Sequence, residues 1–370
     1  MPKGRIKLFL FRLILVLLVA LALELIGYAG MWINSCSFDF LSNKNYFYIR
    51  AMLMGNKNPE LFPRYLSLPY LGYIPYPGYT RHGILQHNED GYRGERVPLE
   101  KTDKFRILCL GGSTTYGLGV DSPSQTFPAQ LEHLLNSHIH SDSLLRRKYH
   151  GAEVINAGLE GGNTAEELQQ YLFKYRYYRP DVVVVHSGVN DAQQNASNTK
   201  DFQLDYTSFR RINFDIEPLS QPAKFLMKSY FISFITIRLF YTDFADTKGD
   251  EFQRNSRQLF CKWTTINEDS LLGKNQFQYY PFYHNSRSLY QEIRSDSSVL
   301  IVFPNALDPK LVKNKGYKDL CNLNASISKS LANDFGGIYI PFTFDSINAS
   351  YWIDDCHLNA KGEERKAKIL

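Results

Sequence analysis

The chain has 370 residues, of which 44% are hydrophobic and 21% charged, a composition that suits a globular protein with one sizeable domain and extensions. Its formal charge of +5 gathers at the start: without residues 1–30, which hold Lys3, Arg5, Lys7, Arg12 and Glu24, the 42 basic residues fall to 38 and the 37 acidic ones to 36. A body this close to neutral, with no Lys/Arg stripe, argues against a nucleic-acid partner.

Behind the basic start, Leu13–Leu23 is apolar without a break, inside an apolar stretch from about Leu8 to Trp32. A stretch of roughly 20 residues or more is long enough to cross a bilayer. Residues 1–32 therefore read as a signal anchor, with Arg12 and Glu24 near the ends of the span. The alternative is a cleaved signal peptide with Gly27-Tyr28-Ala29 as the small-x-small site, which would release a secreted protein. Either way the positive flank stays in the cytoplasm and the body is exported to the periplasmic or luminal side. The five cysteines (Cys36, Cys109, Cys261, Cys321, Cys356) leave at least one unpaired, and a disulfide among Cys261, Cys321 and Cys356 stays open. None of them has zinc-ligand spacing, so no metal is expected. Asn195, Asn324 and Asn348 open N-x-Ser sequons.

Residues 33–103 mix Tyr, Pro and Gly with no lasting period, and read as an extended juxtamembrane connector lying on the main domain. From Phe105 the pattern changes. Phe105–Leu110 is a short apolar run ending in Gly-Gly and reads as a buried strand. A helix is predicted within Ser124–Ser137, a second strand over Val154–Ala157, and a helix running from a capping box at Thr164-Ala165-Glu166-Glu167 toward Tyr178. Val182–Val185 makes a third strand and Ser298–Phe303 a fourth. A helix around Tyr317–Asn333 precedes a fifth strand, Gly337–Pro341, and a last helix begins near Asn359. Apolar strands alternating with helices imply an α/β fold, a parallel five-stranded sheet covered on both faces. Residues 200–285 break the alternation and read as a helical, aromatic-rich insert. Within it Pro222–Phe244 is apolar enough to pack on the domain, to close over a site or to rest on a bilayer. The aromatic run at 275–283 fits a sugar-stacking surface, an acyl pocket or plain core.

Four short blocks fall after predicted strands. Gly111-Gly112-Ser113-Thr114-Thr115 follows the first, Asn156–Gly161 ends the second, Gly188-Val189-Asn190-Asp191 follows the third, and Asp354-Asp355-Cys356-His357 comes after the fifth. In such sheets functional residues collect beyond the carboxyl ends of the strands. Acyl transfer to a hydroxyl needs an exposed nucleophile, a base and donors for an oxyanion. Ser113, among glycines, is the candidate nucleophile and His357 the candidate base. Asp354, three residues earlier, is placed to orient the imidazole, with Asp355 ranked second. Asn190 offers a side-chain amide and Gly161 a backbone N–H, with Gly162 the weaker alternative. His186 reads as a core histidine at a strand end, and His133, His138 and His140 as solvent-facing.

These residues resemble the SGNH (GDSL-type) hydrolases, whose four blocks are named for the Ser, Gly, Asn and His matched here by Ser113, Gly161, Asn190 and His357. The resemblance covers about residues 104–370. It implies a flavodoxin-like three-layer α/β/α sandwich, no metal or organic cofactor, and an oxyanion hole made of the Ser113 amide, the Gly161 amide and the Asn190 side chain. The first block reads GGST where the family name suggests GDS, placing Gly112 before the nucleophile, as in a bacterial subgroup with an N-terminal hydrophobic segment. The function so implied is a serine ester hydrolase working through a Ser-His-Asp triad outside the cytoplasm. Its substrates would be small-molecule, glycan or lipid esters, as for an esterase, lipase, acylhydrolase or carbohydrate O-deacetylase. The alternatives are an acyltransferase on envelope polysaccharide using the same site, or a non-catalytic envelope assembly protein.

Overall fold

The computed structural model describes residues 3–35, 46–54, 65–68, 70–81, 83–195, 219–240, 281–312 and 315–370. The chain divides into two compact units, residues 1–63 with 211–256 and residues 64–210 with 257–370.

The larger unit begins with two small antiparallel hairpins, β1 (Tyr65–Leu68) with β2 (Gly72–Pro75) and β3 (Thr80–Arg81) with β4 (Ile84–Leu85). The central sheet follows: β5 (Phe105–Gly111), β6 (Ala152–Gly158), β7 (Val182–His186), β8 (Val299–Val302) and β9 (Ile338–Tyr339). All five are parallel, in the order β6-β5-β7-β8-β9. Numbered within the sheet this is 2-1-3-4-5, the flavodoxin-like order with its switch point beside the first strand. The residues of β6 and β7 are buried throughout, as expected of strands covered on both faces. One core layer, including Leu108, Ile155, Tyr171, Val183, Leu289 and Leu331, fills one side of the sheet; the other, including Cys109, Phe127, Leu131, Val184 and Phe303, fills the opposite side.

The five predicted strands are present. Helix details differ. The helix expected within Ser124–Ser137 runs Phe127–Ser141 after a 3-10 turn at Pro123–Gln125. The helix toward Tyr178 ends at Phe173 and gives way to a 3-10 turn, Tyr175–Tyr178. Its capping box sits one residue earlier than the sequence pattern suggested. Asn163 is the N-cap, its Oδ1 accepting from the amides of Ala165 and Glu166, while Glu166 reaches back to the Asn163 amide. Thr164 instead donates its hydroxyl to Asp191 (2.6 Å) and so ties the start of this helix to the third block.

The connector forms more structure than an extended segment. Beyond the hairpins, Gln86–Asn88 and Gly91–Arg93 are buried, with Arg93 bound to the turn after β5. The Arg93 guanidinium is fully inside and donates to the carbonyls of Tyr116 (3.1 Å), Gly117 (2.6 Å) and Val120 (2.8 Å). His87 Nε2 meets the Tyr116 hydroxyl at 2.8 Å. The lack of hydrophobic period in this stretch follows from burial carried by single polar anchors instead of an apolar face.

The smaller unit holds the helix Lys3–Ser35, within which Ile6–Ile33 is long and apolar enough to cross a membrane. It also contains helices Tyr46–Leu53, Gln221–Leu226 and Tyr230–Phe240. Met31, Tyr46, Ile49, Leu53, Met227 and Ile237 form its core. Of the predicted insert, 200–218 and 241–280 lie outside the described residues, as do Cys36 and Cys261. Of the aromatic run at 275–283, Pro281 and Phe282 are buried core at the start of the helix Pro281–Ser295.

Replacing Arg93 by Ala leaves three buried carbonyls without their donor, a loss on the order of 3 kcal/mol in urea unfolding of the full chain. An unchanged midpoint would show that these carbonyls find other partners.

Candidate active site

The end of β5 turns sharply into a one-turn helix, Ser113–Tyr116, with Ser113 as its first residue. Gly112 is required there by close approach: a Cβ on it would lie 2.5 Å from Asn190 Nδ2 and 3.2 Å from the Gly162 carbonyl. The last block arrives from the far side of the sheet on a loop closed by Trp352 pairing with Leu358, and by the Ile353 amide on the His357 carbonyl (3.0 Å). The Asp308 amide donates to the Asp355 carbonyl at 2.9 Å and ties this loop to the region beyond β8.

Three of the predicted residues form one hydrogen-bonded line. His357 Nε2 lies 2.7 Å from Ser113 Oγ, and His357 Nδ1 lies 2.7 Å from Asp354 Oδ2. Asp354 Oδ1 also accepts from the amides of Cys356 (3.0 Å) and His357 (2.7 Å). Burial by itself would raise the Asp354 carboxyl. The His357 ring and the two amides outweigh it and hold the group at about 2. An ionised Asp354 accepts, so Nδ1 carries the ring proton and Nε2 turns its lone pair to the Ser113 hydroxyl.

Asp355, the second-ranked partner, is set apart from this line: burial and then the charge of Asp354 push its carboxyl up. The Cys356 Sγ stands 3.5 Å from His357 Nδ1. Asp354, Cys356 and His357 together offer ligand atoms within 4.8 Å of one another, but an ion there would displace the Asp354–His357 hydrogen bond.

The groove beside Ser113 is lined by Gly112, Gly162, Ser187, Asn190 and Asn305 among others. Asn190 stands in the first turn of the helix Val189–Asn195 and donates through Nδ2 to the Gly162 carbonyl at 2.7 Å. The Gly162 amide is committed to the Leu159 carbonyl (2.7 Å), which removes it as a donor to substrate. Gly161 lies in the same turn with φ of +68° and is not among the residues lining this groove. His186 is a core residue. It is fully buried, stacked on Phe303 with centroids 5.0 Å apart, and 2.7 Å through Nδ1 from the Phe303 carbonyl. Burial, then the nearby Lys366, holds it well below the ordinary imidazole range.

Sequence reasoning missed four residues. Asn305 donates to Thr114 Oγ1 (2.8 Å) and accepts from the Val189 amide (3.2 Å), joining the first block to the third. It lies just past β8, and the rule that site residues follow strands pointed to it. Lys366, on the last helix Ala360–Ile369, is buried and donates to the Thr114 carbonyl at 2.7 Å. Its partner Glu363 (3.2 Å) accepts from the Phe127 amide at 2.8 Å. In sequence the pair reads as an ordinary exposed i,i+3 contact, so nothing flagged it. Glu167, behind the groove, accepts from the Ser187 hydroxyl.

This geometry defines the class: an α/β protein whose sheet edge carries a serine, a histidine and an aspartate in one hydrogen-bonded line. Residues 109–365 match the GDSL-like Lipase/Acylhydrolase family, to which the chain therefore belongs. It is similar to an acetylxylan esterase of Xylanibacter ruminicola, with 28% identity over 137 residues, 35% of this chain and 25% of that protein. The chain thus spans about a quarter of that relative's length. Among solved structures, an acetylxylan esterase of Geobacillus stearothermophilus, Axe2, aligns with 72% of this chain and 91% of its own at 12% identity and a TM-score of 0.40. A GDSL-like lipase of Bacteroides thetaiotaomicron aligns with 74% of this chain and 89% of its own, at 12% identity and 0.38.

Two outcomes follow from the geometry. Gly112→Ala forces the Asn190 amide from its position, and kcat on an ester substrate should fall about 10²-fold with little change in thermal unfolding; unaltered kcat would detach Asn190 from the chemistry. Burial, then Asp191, raises the Glu167 carboxyl to about 8, against about 4.3 in an unfolded chain. The folded state therefore holds this proton more tightly. The resulting stability is complete below about pH 4 and is lost as the pH rises toward 8. Glu167→Gln cannot ionise, so the melting temperature of the parent relative to this variant should decline from pH 5 to pH 8; a constant difference would refute the shift.

Proposed function

We propose that this protein is a serine esterase that removes short acyl groups from carbohydrate, with its catalytic domain, from about residue 104 onward, held outside the cytoplasm by residues 1–32. The observation that carries the reading is the continuous line Ser113 Oγ, His357, Asp354, with both links at 2.7 Å. In the first step the Ser113 oxygen bonds to the ester carbonyl carbon as its proton passes to His357 Nε2. Asp354 stabilises the imidazolium through Nδ1. The carbonyl oxygen takes the negative charge and is met by the Ser113 amide, the Gly161 amide and the second N–H of the Asn190 side chain, whose first is held by Gly162. His357 then returns the proton to the leaving alcohol, and water, activated in the same way, releases the acid and restores Ser113.

Carbohydrate as the alcohol side is supported by the similarity to the Xylanibacter ruminicola acetylxylan esterase. The membrane anchor is supported by the apolar helix Ile6–Ile33, preceded by Lys3 and Arg5. The basic flank remains cytoplasmic and places the body on the other side.

The reading is tested with a fluorophosphonate probe and a panel of acetylated xylo-oligosaccharides and longer acyl esters. The parent protein should label and should release acetate, and Ser113→Ala should do neither. Equal labelling of the two proteins would remove Ser113 as nucleophile, and turnover confined to long-chain esters would remove carbohydrate as the substrate.

A further inference from the structure

Among the described residues, the smaller unit has an apolar surface that its own core leaves uncovered. In the helix Tyr230–Phe240, Ser233 and Ile237 are buried, whereas Leu239 is 65% and Phe240 76% exposed, and Ile232 and Ile235 also face outward. The preceding helix Gln221–Leu226 adds Phe225, 68% exposed, and Leu226. Six large apolar side chains thus lie on the outside of two consecutive helices. An aqueous surface does not favour such a patch.

Packing against the N-terminal helix sets the depth of this surface. A Cβ on Gly27 would fall 2.3 Å from the Phe231 backbone, so the two helices touch main chain to main chain. A Cβ on Gly30 would fall 2.9 Å from the Phe234 ring, a side-chain contact. Small residues at a close crossing are the means by which helices associate in lipid. The pairs Gly27 with Phe231 and Gly30 with Phe234 advance together, so the short helix runs alongside the C-terminal third of the long one. Glu24, the only acidic residue of the long apolar helix, accepts from the Ser229 hydroxyl and from the Tyr230 amide (2.7 Å). Its charge sits at the N-terminus of the short helix, where a carboxylate is favoured.

Depth follows from the pairing. Gly27 and Gly30 lie inside the apolar stretch Ile6–Ile33, so the short helix shares the depth of the C-terminal end of that stretch. We infer that residues 221–240 are a second membrane contact. Their apolar face meets the leaflet alongside the C-terminal end of the N-terminal span. The inference rests on the anchor reading of Ile6–Ile33.

The full chain is reconstituted in phosphatidylcholine vesicles containing an anionic lipid, and an environment-sensitive fluorophore is placed at Ile235→Cys, Leu239→Cys, Leu17→Cys and Tyr177→Cys. The unsubstituted parent supplies the labelling background. Leu17 lies within the span and Tyr177 on the exposed surface of the catalytic unit. Labels at 235 and 239 should show a blue shift, loss of quenching by aqueous iodide, and quenching by doxyl lipids, as at 17. Iodide quenching at 235 and 239 equal to that at 177, with 17 still in lipid, overturns the inference and leaves the anchor standing. Protection of 235 and 239 from both quenchers means that protein, such as a second copy, covers the face, and also overturns it. Iodide access at 17 defeats the anchor reading itself, and the inference with it.

Discussion

The carbonyl groups of the turn after β5 are the constraint from which the site is built. A chain that leaves a buried strand and turns at once presents backbone oxygens to the interior, where each needs a donor. Two cations supply them from opposite ends of the sequence. Lys366 holds the Thr114 carbonyl, and Arg93 holds those of Tyr116, Gly117 and Val120. Each is itself buried, so its own desolvation is offset only if these bonds form. Ser113 is therefore carried on a backbone fixed from beneath and from the side. The loop bearing His357 meets it from the other side through the bond to Ser113 Oγ.

The same site shows how environment divides one chemical group into opposite roles. Asp354 is half exposed, accepts from two amides and an imidazole, and stays ionised down to about pH 2. Glu167 is buried near Asp191, and its carboxyl is raised to about 8. The first is suited to orienting a histidine. The second is suited to a mostly neutral structural role under Ser187. Neither behaviour can be assigned from the identity of the residue, because the balance of burial, charge and donors sets both.

Much of the catalytic unit was legible in the chain. Runs such as Val182–Val185 announce a strand buried on both faces, and glycines or asparagines directly after such runs mark the sheet edge where a site forms. Ser113 and Asn190 were read that way, and His357 from its spacing to Asp354 on the last loop. Less was legible where burial depends on single polar contacts. The connector from Tyr65 to Arg93 has no hydrophobic period, since its anchors are a guanidinium and an imidazole. The capping box was misread by one residue because Thr164 satisfies the same pattern as Asn163 while its hydroxyl is spent on Asp191. The Glu363–Lys366 spacing matches any solvated helix face, and only the packing of the last helix against the Phe127–Ser141 helix turns it inward.

By itself the sequence determined the order of strands and helices, the apolar N-terminal span and the residue types of the site, because these depend on local periodicity and on which side chains can do acyl chemistry. Tertiary structure supplied the bond from His357 to Asp354, which the spacing had only ranked ahead of Asp355. It also decided that the Gly162 amide is already engaged, and that Asn305, Arg93 and Lys366 support the turn that carries Ser113. Those outcomes depend on distances between segments up to about 250 residues apart, set by the parallel register of β5 with β6 and β7 and by the requirement that every buried donor and acceptor find a partner.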